Sequence, residues 1–293
     1  MNNFLVKTSG RDLAKDNSVK TLMLIHGWGM NSQVWEPIRE ALEAKYHVLW
    51  VDLPGHGFNR HIKAQSLERM VELVADITPE NTNIIAWSLG GLVAQALAQE
   101  IPDKIRSLSL VTSTPRFSQD LSEDKSKHWQ HAMSDEVLNR FAENLMQDTE
   151  KTLKGFIALQ FMGVEGAKQE LNNLINHILY NSNEKKGKKV GGVLAESELA
   201  VKSQETNIPS QEALDVGLEI LKYADLRDIT PTCPEHWVFA EYDRLIPKEV
   251  INDLISLRPD AEITLLKKSG HAPFITHRNV FLKSTIDFIE SVT

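Results

Sequence analysis

Three residues far apart in the chain are of the types needed for nucleophilic acyl transfer. Ser88 lies in Ala86-Trp87-Ser88-Leu89-Gly90, where a short apolar run stops and an Ala-rich stretch begins. Small residues two places to either side suit a very tight turn that presses a strand against a helix, because only Gly or Ala fits there. A serine hydroxyl becomes a good nucleophile when a base takes its proton, and the base works when a buried acid orients it. Asp243, in Asp243-Arg244-Leu245-Ile246-Pro247, and His271, in Gly270-His271-Ala272-Pro273, supply the acid and the base. Each has a plainer reading alone: Ser88 as a helix cap, Asp243 as another, His271 as a loop residue. Taken together, in the order Ser, Asp, His and each just past an expected strand, they read as a catalytic triad.

An acyl-transfer site also needs donors for the oxyanion. His26-Gly27-Trp28-Gly29 is a Gly-rich loop between a strand and a helix, where backbone N–H groups can face a pocket. The expected donors are the backbone N–H groups of Trp28 and of Leu89, which opens the helix after Ser88. Cys233 is the only cysteine and sits in Pro231-Thr232-Cys233-Pro234, an improbable setting for a nucleophile.

These groups must be held by strands. Apolar runs at Phe4–Thr8, Thr21–Ile25, His47–Val51, Asn83–Ala86, Ser107–Thr112, His236–Ala240 and Glu262–Leu266 read as strands. Helical spacing recurs between them, as in Ser66–Thr78 and the closing Val280–Val292. Strands alternating with helices imply an α/β fold with a mostly parallel central sheet, which binds ligands beyond the carboxyl ends of its strands. His26, Ser88 and Ser113 fall at such ends. The turn Asp52-Leu53-Pro54-Gly55-His56-Gly57 reads as structural, with His56 and His61 as surface histidines.

After Pro115 the rhythm changes to helical patterning without a clear strand, through about Lys222. The organisation expected is a core in two parts, residues 1–115 and 223–293, with a helical lid at 116–222. Residues 181–210 are polar and poorly periodic and read as a mobile loop, including the run Lys185–Lys189.

Composition narrows the functions available. The net charge of −8 over 293 residues argues against nucleic-acid binding. One cysteine allows no disulfide framework, and no His pair at helical spacing meets a carboxylate in a metal-site pattern. With no signal-like N-terminus and no apolar run long enough for a membrane, the expected compartment is cytoplasmic.

The HGWG loop, the turn at Asp52–Gly57 and the Ser88, Asp243, His271 order resemble the α/β-hydrolase family. That resemblance implies a helical lid inserted after the sixth strand. Trp87–Ala94, Phe156–Gln160, Gly217–Leu221 and His271–Ile275 narrow it, being similar to the pimeloyl-acyl-carrier-protein methyl ester esterases of biotin synthesis. The likeness spans nearly the whole chain. It implies a serine carboxylesterase without cofactor or metal, acting through an acyl-enzyme on an ester carried by acyl-carrier protein. It also implies substrate contacts from Trp28, Ser88, Leu89 and His271, with Phe156, Ile157, Ala158, Leu159 and Gln160 lining an acyl pocket.

The carrier protein is acidic, so docking implies a basic patch, here Lys151, Lys154 and Lys168. Lys151 and Lys154 are three apart on an expected helix and so share one face. The departures are Ala86 in place of the usual Gly, an apparent insertion at 181–210, and Gly155 and Asn172 where Arg is expected. The lid carries 13 Lys and Arg against 17 Asp and Glu, so any docking patch is local. The alternatives are a general short-chain carboxylesterase, a C–C bond hydrolase of the same fold, and a non-catalytic binding protein.

Overall fold

Thr21–Ile25 is apolar enough to need cover on both faces, and in the computed structural model it forms β2, buried along its whole length. The structure describes residues 4–16, 18–123, 128–180 and 207–292. The other strands are β1 (Val6–Gly10), β3 (His47–Val51), β4 (Thr82–Trp87), β5 (Ile105–Val111), β6 (Glu235–Ala240) and β7 (Glu262–Leu266). They make one seven-stranded sheet in the order β1-β3-β2-β4-β5-β6-β7. Every neighbouring pair is parallel except β1 with β3, where Val6 faces Val51. The central position of β4 puts the end of that strand between β2 and β5.

Helices α1 (Arg39–Glu43), α2 (Leu67–Asp76), α3 (Leu89–Glu100), α8 (Val250–Leu257), α9 (Pro273–Thr276) and α10 (Arg278–Ser291) follow core strands, while α4 (Asp135–Gln147), α5 (Thr149–Leu159), α6 (Lys168–Leu179) and α7 (Gln211–Tyr223) lie between β5 and β6. Side-chain caps start several of them. Ser66 accepts from the N–H of Arg69, Asp148 from Lys151 and Ser210 from Ala213. No helix among the described residues is long and apolar enough to cross a membrane.

Three points differ from the sequence reading. The α4–α7 segment follows the fifth strand of the chain, not the sixth, because a single strand precedes β2 and the stretch between them is formed of turns. The first residues of the segment after Pro115 are not helical: Ser118 bridges Met133 and Asp120 bridges Trp129, an arrangement tied down by ion pairs to Asp120. His56 is buried rather than on the surface, whereas His61 is exposed. Most of the expected mobile loop, including Lys185–Lys189, lies outside the described residues.

The chain leaves and rejoins the core at one place. The N–H of Leu226 donates to the carbonyl of Pro115 at 2.9 Å. Arg116 pairs with Asp225 at 2.6 Å, and Arg227 pairs with Asp120 at 2.7 Å, so side chains from both connections cross-link them.

Candidate active site

Ser88 stands between β4 and α3 with φ 53° and ψ −122°, a strained conformation for a residue with a side chain. Its surroundings hold it there. Its N–H donates to Val111 at 3.0 Å, and its carbonyl accepts the hydroxyl of Ser113 at 2.8 Å. Gly90 is required by close approach, since a Cβ there would meet the carbonyl oxygen of His26 at 2.5 Å. Ala86 is fully buried and takes its ordinary place in the ladder opposite Ile25 and Leu110, so its methyl is accommodated.

The His26–Gly29 loop lies directly against this turn. A Cβ on Gly27 would come within 3.1 Å of both the Ser88 Cβ and the Trp87 ring. His26 Nε2 accepts the N–H of Leu53 at 2.9 Å, which leaves Nδ1–H to donate to the Gly27 carbonyl at 2.8 Å. Burial drops the His26 pKa to about 4. The neighbouring His56 ring, 5.0 Å away, falls to about 3 through burial and the proximity of His26. Trp28 is buried, donates its indole N–H to Leu214 of α7 at 2.9 Å, and packs edge-on against Phe141 and Phe156. Leu89 is the first residue of α3, where helix geometry leaves the N–H without an intrahelical partner.

Asp243 and His271 come together from the loops after β6 and β7. Asp243 Oδ1 accepts the N–H groups of Leu245 and Ile246 at 2.8 and 3.0 Å. Its Oδ2 accepts Nδ1–H of His271 at 2.7 Å, with both side chains buried. That bond directs the His271 lone pair to Nε2, which is buried and has no partner. Ser88 Oγ is not hydrogen-bonded to Nε2 in this state; such contacts are commonly loose without substrate. The main chain of His271 is also held: its carbonyl accepts from Trp87 and Thr112, and its N–H donates to the Gln160 carbonyl.

The stretch Phe156–Gln160 divides. Phe156 and Leu159 line an apolar cavity of about 240 Å³ together with Phe141, Leu138, Leu218 and Leu245. Leu245 is the residue whose N–H bonds Asp243, so the cavity reaches the acid's loop. Ile157 is buried in the lid interior, and Ala158 is exposed on a second groove between α4 and α5. Gln160 is buried with both amide atoms unpartnered.

The three lysines separate as well. Lys151 is exposed and lines that second groove with Asn144 and Thr152. Lys154 pairs with Glu150 at 2.7 Å, and Glu150 also accepts the Tyr180 hydroxyl at 2.6 Å. Its charge is therefore paired with Glu150 and set over the Tyr180 ring at the end of α6. Lys168 is exposed at the start of α6.

Burial and the nearby Glu235 push the Cys233 thiol up to about 12, so it is not a thiolate at neutral pH. No group of three or more His, Cys, Asp or Glu among the described residues is arranged to hold a metal ion. Sequence reasoning missed Thr112, Trp87 and the Gln160 carbonyl as groups around His271. The available signal was that Trp87 ends β4 beside Ser88 and Thr112 directly follows β5 beside Ser113.

Residues 20–278 match the model of the family described as alpha/beta hydrolase fold, and the chain belongs to that family. Within it, the chain is 34% identical over 274 residues to the pimeloyl-[acyl-carrier protein] methyl ester esterase of Pseudoalteromonas atlantica, covering 92% of this chain and 93% of that one. It is 35% identical over 265 residues to the enzyme of the same name from Citrobacter koseri, covering 90% and 91%. Among solved structures, an esterase from Exiguobacterium antarcticum superposes with a TM-score of 0.74 at 19% identity, covering 98% of this chain and 95% of that chain. That last likeness speaks to the fold alone.

Proposed function

We propose that the chain is a serine carboxylesterase that hydrolyses the methyl ester of a pimeloyl group carried on acyl-carrier protein. The observation that carries the reading is the buried Asp243–His271 pair, with Nε2 unpartnered and the His271 carbonyl bonded to Trp87, the residue before Ser88. The similarity to the named esterases supplies the substrate, and the apolar cavity suits a methylene chain.

In this reading Ser88 Oγ attacks the ester carbonyl while His271 Nε2 takes its proton. The developing oxyanion is met by the N–H groups of Trp28 and Leu89. Collapse of the tetrahedral intermediate breaks the C–O bond to the methoxy group, which leaves as methanol with the proton from His271. Water, deprotonated by the same imidazole, then releases the acid and restores Ser88. Asp243 holds the imidazole with its proton on Nδ1 and stabilises the imidazolium that forms.

The second reading is a general esterase for small free esters. The Lys154–Glu150 pair favours it, because the carboxylate partly offsets one positive charge of the docking patch. Steady-state turnover of pimeloyl-acyl-carrier-protein methyl ester and of a free methyl ester of similar length separates the two. A kcat/KM at least tenfold higher for the carrier-bound ester is expected, and equal values would overturn the carrier reading.

A further inference from the structure

Thr112 follows the last residue of β5 and is fully buried with φ 40°. A β-branched side chain rarely holds that conformation unless its surroundings impose it. Two hydrogen bonds do so here. The N–H of Thr112 donates to Val238 at 2.7 Å, and its hydroxyl donates to the carbonyl of His271 at 2.7 Å. The same carbonyl accepts the indole N–H of Trp87 at 2.8 Å.

A buried carbonyl can accept from two donors, one for each lone pair. Here it receives two, one of them from a residue in a strained conformation. Both donors lead back to the nucleophile. Trp87 is the residue before Ser88, and its ring lies 5.6 Å from the imidazole while packing against Trp35 and Phe274. Thr112 precedes Ser113, whose hydroxyl bonds the Ser88 carbonyl at 2.8 Å. Asp243 holds the imidazole through Nδ1 but belongs to a different loop from Ser88. The bonds from Trp87 and Thr112 are what fix the His271 main chain relative to β4 and β5.

We infer that Trp87 and Thr112 are positioning residues that set the distance and angle between His271 and Ser88 by gripping the His271 carbonyl from the two strand ends beside the nucleophile. The inference rests on the reading of Ser88 as nucleophile and His271 as base. It assigns no contact with substrate to either residue.

The test compares Thr112→Val, which keeps the shape and loses the donor, with Thr112→Ser, which keeps the donor. A short-chain nitrophenyl ester and the full-length protein serve as substrate and enzyme, at a temperature well below the melting point of each variant. Thr112→Val should lower kcat about 10- to 100-fold with KM little changed, the scale of a small misplacement of reacting groups. Thr112→Ser should recover most of that loss. Trp87→Phe, which drops the other donor, should lower kcat in the same way and should not combine additively with Thr112→Val. It also keeps the test open if Thr112→Val fails to fold. Wild-type kcat in Thr112→Val, or a Thr112→Ser variant no better than Thr112→Val, would overturn the inference, since a purely structural role moves the melting temperature and not the rate per folded molecule. If wild-type turnover proves indifferent to His271→Ala, the underlying reading fails and this one with it. Dependence on His271 without dependence on Thr112 or Trp87 sinks this inference alone.

Discussion

The N–H of His271 donates to the carbonyl of Gln160 at 3.1 Å, so the residue that closes α5 rests directly on the loop after β7. Gly270 permits this approach. A Cβ there would meet that carbonyl at 2.4 Å and Val164 at 3.1 Å. Gly270→Ala should force the two segments apart, lowering kcat at least tenfold and stability by about 1–3 kcal/mol, the usual cost of overpacking. Thermal melts and steady-state kinetics check both effects. A fully active Gly270→Ala would show that the contact is incidental.

Ser88→Ala should abolish ester hydrolysis with a roughly 10⁶-fold drop in kcat and an unchanged fold. His271→Ala should be about as severe. Asp243→Asn should lose roughly 10⁴-fold, because the amide favours the wrong imidazole tautomer. Fluorophosphonate labelling of the wild type and its loss in Ser88→Ala provide the check independent of substrate choice.

Stability should fall as pH is lowered below about 6.5, the ordinary histidine value. Burial depresses His26 and His236 to about 4 and His56 to about 3, so the unfolded chain takes up protons that the folded chain refuses. Each such group removes on the order of 1.4 kcal/mol per pH unit until its folded value is reached. Asp52 and Glu235, raised by burial, act in the opposite sense, but two carboxylates oppose three imidazoles. Protonated His26 would also lose the acceptor for Leu53, releasing the loop that bears Trp28. A melting temperature that stays level from pH 7 to pH 4.5 would falsify this assignment.

Charge reversal should separate the lysines. Lys151→Glu should slow turnover of a carrier-bound ester through its association rate, and added salt should shrink the deficit. Lys154→Glu should act differently, placing two carboxylates together beside Tyr180 and loosening α5 against α6. Its loss should fall equally on carrier-bound and free esters. Salt-dependent rates on both substrates decide the matter, and a salt-independent loss in Lys151→Glu would remove that residue from the docking surface.

Much of the sheet was legible because its inner strands are short apolar runs that stop at polar residues, as at His26, Asp52 and Ser88. Thr21–Ile25, His47–Val51 and Glu262–Leu266 read directly from periodicity and coincide with β2, β3 and β7. The meeting of Asp243 with His271 was legible from residue type and order alone, since each sits at a strand end where the fold leaves room for chemistry. What was not legible depends on tertiary contact. His56 looks like any polar loop residue until His26 and the Pro54 carbonyl close around it. The first residues after Pro115 read with the helical segment, yet they form bridged loop in which Asp120 pairs with the sequence-distant Arg227. Lys154 reads as an unpaired surface charge, whereas the fold sets it against Glu150.

The bond from Leu226 to Pro115, with its flanking Arg–Asp pairs, has a further consequence for how such a chain can change. Because the two ends meet, β5 and β6 can pair whatever lies between them, and closing that loop grows only logarithmically more costly with length. The residues between these points can therefore vary in length without unpairing β5 from β6. Length and charge can change there while the sheet beneath keeps its register, provided that the Gln160 carbonyl still meets the His271 N–H and Leu214 still meets Trp28.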